Sequence, residues 1–321
     1  MPAITASAPG KIILFGEHAV VYGRPAVAVP VNQVRARAIV TANPGSAPGT
    51  VRIQAPDVGL EAELASLSED HPLALAARLV LSELGVARPP ACTLRITSSI
   101  PLSAGMGSGA AVSVALIRAL SAFLGQTLSD ERVSALAYEV EKLYHGTPSG
   151  IDNTVITYAL PVYFVRGQPV ETLHLPSPFM MVVGDTGLAS PTAIAVGDLR
   201  RAWQSEPARY ELLFDGVGQI AQAARAAIEA GQPQALGALM DENHALLRQM
   251  GVSCAELDHL VEAARAAGAS GAKLSGAGRG GNMIALVQPE NAQAVARALE
   301  RAGARRALIT LVQKDEPVRG G

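Results

Sequence analysis

Net charge, cysteine and long apolar runs are all scarce in this chain of 321 residues. Its 26 basic and 28 acidic residues leave a formal net charge of −2. No long-range field therefore gathers nucleic acid or anionic membrane, and any bound phosphate must be held locally by backbone N–H groups and a few cations. The two cysteines, Cys92 and Cys254, form no CxxC pair and have no histidine at metal spacing, which excludes a disulfide framework and a zinc motif and fits a reducing compartment. No apolar run approaches the ~18 residues of a membrane span. The N-terminal MPAITASAPGK lacks the apolar core of a signal peptide, so a cytoplasmic protein without nucleic-acid or membrane partners is expected.

What is present is an ordinary globular balance, 49% apolar and 17% charged, at a length that suggests two domains. The first half reads as strands followed by helices. Short β-rich runs cover Ile12–Leu14, Ala26–Val31, Arg35–Thr41 and Val51–Gln54. Helices are expected over Pro72–Leu84, from Ala110 to about Phe123, and over Asp130–Tyr144, with Ser129 as N-cap of the last. The second half holds a continuous apolar strand at Phe179–Val183 and helical stretches at 208–230, 233–250 and 255–267. It closes with strand, strand, helix, strand over 272–312, the rhythm of an α+β sandwich. The Pro- and Gly-containing stretch 166–178 marks the domain boundary, placing an N-terminal domain at 1–172 and a C-terminal one at 173–321.

Three segments carry potential chemistry. Gly105, Gly107 and Gly109 alternate through Gly105-Met106-Gly107-Ser108-Gly109-Ala110 ahead of a helix. This is either a plain tight loop or an anion site made by backbone N–H groups at a helix N-terminus. No GKS or GKT follows it, so it is not a Walker loop. It also resembles a dinucleotide fingerprint, but Pro101 separates it from the preceding strand. Next, with Val133 as zero at about 100° per residue, Glu141 falls about 80° away, at the edge of the buried face. A carboxylate there needs a partner, either an arginine or backbone amide or a metal cation. Behind it, Pro148 and Gly150 form a turn that aims Asp152, an aspartate in a loop that is otherwise a turn or cap residue. The third segment is Lys273-Leu274-Ser275-Gly276-Ala277-Gly278-Arg279-Gly280-Gly281, a flexible hairpin tip or a second backbone cradle. A short apolar N-terminal strand is flanked by Lys11 on one side and by Glu17 and His18 on the other, and from the residues alone Lys11 is a strand-end side chain that snorkels.

Together these segments resemble the GHMP kinases, and within them the mevalonate kinase branch. The similarity rests on APGKIILFGEHAVVYGRPA, PLSAGMGSGAAVSVA, EKLYHGTPSGIDN, GDTGLASPT and KLSGAGRGGNMIAL, in the family's order from Ala8 to about Leu286. The resemblance implies an α+β GHMP kinase fold, with a ribosomal protein S5 domain 2-like N-terminal domain and a ferredoxin-like C-terminal domain. It implies phosphorylation of the primary hydroxyl of mevalonate by ATP with Mg²⁺, in isoprenoid synthesis. Pro101, Ala104, Gly105, Met106, Gly107, Ser108, Gly109 and Ala110 would cradle ATP, and Glu141 with Ser108 would bind Mg²⁺. Asp152 would be the catalytic base, with Lys11 beside it favouring its ionised form. Glu17, His18, Ser149, Gly150, Ser275 and Gly276 would hold substrate. A homodimer is common among relatives.

Two departures stand out. The family's phosphate loop usually reads GLGSSAA, and Gly109 replaces its second serine, leaving the metal to Ser108 or water. Arg279 stands where the third motif usually has glycine, and reaches either a substrate anion or solvent. Either could mark another acceptor, such as a phosphomevalonate or a sugar. A nicotinamide-dependent oxidoreductase is the remote alternative.

Overall fold

A computed structural model of the chain describes residues 3–101, 105–145, 148–169, 171–189 and 192–313. Alternating and β-branched residues form the early strands β1 (Ile4–Phe15), β2 (Ala26–Ala42), β3 (Val51–Ala55) and β4 (Leu60–Glu63). The helix α1 (Pro72–Glu83) and the strand β5 (Cys92–Ser98) follow. The runs read as two strands at 26–31 and 35–41 are one strand of 17 residues. It pairs with one partner at Ala26–Ala28 and with another at Ala36–Ala42, on either side of Pro30 and Asn32.

The chain divides into two compact units, one of residues 1–10, 32–101 and 107–159, the other of 11–31, 102–106 and 160–321. In the first, β2 pairs antiparallel with β5 (Val40 opposite Leu94), β5 pairs parallel with β3 (Leu94 opposite Ile53), and β3 pairs antiparallel with β4. Three further helices, α2 (Ser108–Phe123), α3 (Asp130–His145) and α4 (Ile151–Tyr158), complete it. Leu94, Leu116, Ile117, Leu120, Val133 and Ile156 are buried there. Ser129 Oγ accepts from Arg132 N at 3.4 Å, as an N-cap does.

In the second unit, β6 (Val162–Phe164) pairs with the start of β2 and with β7 (Glu171–Thr172). The remainder runs β8 (Phe179–Asp185), α5 (Thr192–Ser205), α6 (Pro207–Glu229), α7 (Leu236–Gln249), α8 (Ala255–Ala266), β9 (Gly271–Ser275), β10 (Asn282–Val287), α9 (Ala292–Arg301), β11 (Arg306–Val312). The order in the sheet is β11-β8-β10-β9, with every neighbour antiparallel. This is the strand order of a ferredoxin-like split βαβ, with extra helices between its first and second strands. Phe214, Leu257, Val261, Leu274, Met283 and Leu299 belong to its core. No helix among the described residues is long and apolar enough to cross a membrane.

Candidate active site

In the first unit, α2 begins behind Gly107, whose φ of 69° and ψ of 32° are left-handed; Gly105, clustered with the second unit, also has a positive φ, 68°. Residues with a Cβ rarely adopt this backbone, which explains the glycines. Ala111 N donates to Gly107 O at 2.9 Å, and no side chain caps the helix. The N–H groups of Ser108, Gly109 and Ala110 therefore have no intrahelical acceptor, and they lie at the positive end of the helix dipole. That is the chemistry of a phosphate cradle. Pro101 is half-buried ahead of the loop, and Ala104 lies outside the described residues. Gly109 itself is helical rather than left-handed, so a serine fits its backbone. Gly109→Ser is expected to keep or raise activity and to stabilise by about 0.5–1 kcal/mol, the usual gain on replacing a helical glycine. Turnover and a thermal melt check both.

Glu141 sits deeper than its wheel position indicates, at 3% exposure on α3 beside buried Val140 and Ala137. Asp152 lies not in a loop but in the first turn of α4, half-buried. The turn Ser149-Gly150 starts that helix. Ser149 Oγ accepts from Ile151 N at 3.3 Å, and Gly150 takes a left-handed φ of 91°. Asn153 Nδ2 donates to Ser134 Oγ at 2.9 Å, and Arg118 Nη2 donates to Thr157 O at 2.6 Å. These bonds pin both ends of α4, so the direction of Asp152 is set by α2 and α3. Among the described residues no three His, Cys, Asp or Glu side chains form a metal cage. Magnesium is commonly held by one or two carboxylates and by substrate phosphates, and the oxygen donors Glu141 and Ser108 fit that pattern.

The second unit holds the other predicted residues. Lys11 is 4% exposed on β1, and its N–H donates to Met106 O at 3.0 Å. Glu17 is buried and paired with Lys273 of β9, whose Nζ also donates to Leu274 O at 2.6 Å. Burial pushes the Glu17 carboxyl up and the Lys273 ammonium down, each opposed by the partner's charge. His18 has a φ of 62° and ψ of −50°, and its Nε2–H donates to Ala277 O at 3.2 Å. Burial lowers its pKa to about 4. Ser275 Oγ donates to Ile13 O at 2.8 Å, and a Cβ at Gly276 would meet nothing within 4 Å. Arg279 donates to Asp198 of α5 at 3.3 Å.

Lys273 opens the third motif, whose local pattern assigns it no role. A signal existed, since only four of the 26 basic residues are lysines, and surface cations in this chain are mostly arginines. His244 lies outside every motif and is equally unmarked in the sequence. Its Nδ1 accepts from Leu274 N at 3.3 Å and its Nε2 faces Asp258 at 3.2 Å. Burial holds its pKa at about 4 as well.

Both histidines are neutral when folded, with pKa values of about 4 against an ordinary 6.5. The unfolded chain therefore takes up protons first as pH falls. Their contribution to stability is complete above pH 6.5 and is lost progressively as pH drops toward 4. Urea titrations between pH 6.5 and 5 are expected to show uptake of up to about two protons on unfolding. A flat profile would remove this assignment.

Residues 71–159 match the GHMP kinases N terminal domain and residues 224–305 the GHMP kinases C terminal domain. The mevalonate kinase of Thermococcus gammatolerans is 38% identical over 333 aligned positions, covering 97% of this chain and 97% of that protein. The structure of L. major mevalonate kinase in complex with R-mevalonate superposes with a TM-score of 0.84 at 33% identity, covering 97% of this chain and 96% of the other. The Methanococcus jannaschii mevalonate kinase shares the fold, with a TM-score of 0.85 at 24% identity over 98% and 99% of the two chains. With the motifs, the two-unit fold and full-length relatives in agreement, the chain belongs to the GHMP kinases, on their mevalonate kinase branch.

Proposed function

We propose that the chain transfers the γ-phosphoryl group of ATP to the primary hydroxyl of mevalonate, giving 5-phosphomevalonate and ADP. The observation that carries this reading lies within one unit. There an uncapped α2 N-terminus behind a left-handed glycine turn accompanies a carboxylate, Asp152, on the first turn of α4. Phosphoryl transfer asks a protein mainly for positioning and charge stabilisation. The free N–H groups of Ser108, Gly109 and Ala110 would receive phosphate oxygens. Asp152 would accept the proton of the substrate hydroxyl as its oxygen bonds to phosphorus and the bond to the leaving ADP breaks. Lys11 would be the buried cation of the reaction. His18, Ser149, Gly150, Ser275 and Gly276 would orient the acceptor. Glu141 and Ser108 would hold Mg²⁺, which when bound supplies neutralisation of phosphate charge.

An ADP-release assay with Mg·ATP and mevalonate, its 5-phosphate, homoserine and galactose tests the reading. Turnover with mevalonate alone is expected. Turnover with a different member of the panel keeps the kinase and moves the acceptor. Glu141→Gln is expected to raise the Mg²⁺ concentration for half-maximal rate by about 10–100-fold, the range seen when support of a metal is weakened. A Mg²⁺ dependence equal to wild type would take Glu141 out of the metal site.

A further inference from the structure

The turn at His18 is strained, and a buried ion pair begins at the residue before it. Ala19 N donates to Glu17 O at 2.6 Å across His18, whose φ of 62° and ψ of −50° complete a γ-turn with positive φ. This turn is rare for a residue with a Cβ and persists only where the surroundings over-determine it. The surroundings here are specific. Before the turn, Phe15 is fully buried on β1, and Ser275 Oγ of β9 bonds Ile13 O at 2.8 Å. After it, Tyr22 stacks on Phe214 with ring centroids 4.2 Å apart, and Arg24 Nε donates to Asp215 at 3.0 Å. In the middle, Glu17 pairs with Lys273, and neither side chain has any exposed surface. A fully enclosed carboxylate cannot receive a substrate directly in this arrangement. The second Glu17 oxygen, Oε2, is also buried, without a hydrogen-bond partner. Lys273 is itself fixed, since its neighbour Leu274 is bonded through N to His244 and through O to the Lys273 ammonium.

We propose that Lys273 is a positioning residue of the kinase reaction. By holding Glu17 from β9 it keeps the strained turn closed, and so fixes where the His18 ring meets the acceptor. Glu17 is then a strut rather than a substrate contact. This inference rests on the assignment of His18 to the acceptor site in the proposed function.

Removing one charge leaves the other buried and unpaired, and such a variant can fail to fold. The test therefore uses the neutral pair Glu17→Gln with Lys273→Met, alone and combined with His18→Ala. The neutral pair is expected to raise KM for mevalonate about tenfold, the worth of one well-placed hydrogen bond, with KM for ATP unchanged. In the His18→Ala background the same replacement is expected to change nothing further, since groups acting through one another are not additive. A wild-type KM in the neutral pair, or an equal rise in both backgrounds, would overturn the proposal. A second readout needs no substrate. Hydrogen exchange of the backbone amides over residues 16–21 is expected to quicken in the neutral pair, with helix α8 (Ala255–Ala266) protected as before. Equal protection of the turn in both proteins overturns the proposal, as does equal loss of protection in α8. If wild type does not phosphorylate mevalonate, the acceptor assignment fails by itself, and the exchange experiment still decides whether the pair closes the turn.

Discussion

Asp152→Asn is expected to lower kcat by about 10²–10⁴-fold, the usual worth of a positioned general base, while ATP still binds. The substitution keeps the shape of the side chain and removes only its basicity. Asp152 sits in the first turn of α4, where a negative charge is favoured by the helix dipole. Its loss there costs about 0.3–1 kcal/mol, too little to unfold a helix held by Asn153, Ser149 and Arg118. Activity and stability therefore separate. Steady-state kinetics is expected to show kcat and kcat/KM falling together, the signature of an interaction made in the transition state. Titration calorimetry with ATP is expected to match wild type. Unchanged turnover would take Asp152 out of the mechanism. Lost ATP binding would mean that its charge organises the nucleotide site instead.

Gly278→Ala is expected to be the most damaging single methyl in the second unit, destabilising by about 3 kcal/mol or more, in the class of severe backbone and overpacking effects. A Cβ at this position would stand 1.5 Å from the carbonyl oxygen of Val252 and 2.8 Å from its carbon. Backbone cannot step aside as a flexible side chain can. The φ of 79° adds strain for any residue with a Cβ. Gly276→Ala is the matched control. Its φ is 94°, but an added Cβ meets nothing within 4 Å, so it carries only the strain of the backbone, about 1–3 kcal/mol. Urea unfolding at constant m-value separates the two. Similar midpoints for both variants would mean that the loop at 276–281 yields as one piece.

Much of this was legible in the chain itself. Apolar periodicity placed α2, α3, α6 and α8 to within about two residues, because each buries a continuous stripe that the sequence displays. The glycine motifs were equally visible, since only glycine supplies the left-handed backbone at Gly105 and Gly107. Two short or mixed helices escaped notice. In α4, Gly150 and Pro148 read as loop, and eight residues give the period little room to appear. In α5, Gly197 and Asp198 interrupt the stripe.

What the sequence determined by itself was the family, the α+β layout and the residue types available for phosphoryl transfer, because these rest on local pattern and on motif order. Tertiary structure alone decided the partners. Glu17 and Lys273 are 256 positions apart, and His18 and Ala277 are 259 apart. No local rule links them. They meet because the end of β1, from Lys11 onward, and the turn after it are clustered with the sheet of the second unit, and burial then obliges each polar group to find what its new neighbours offer.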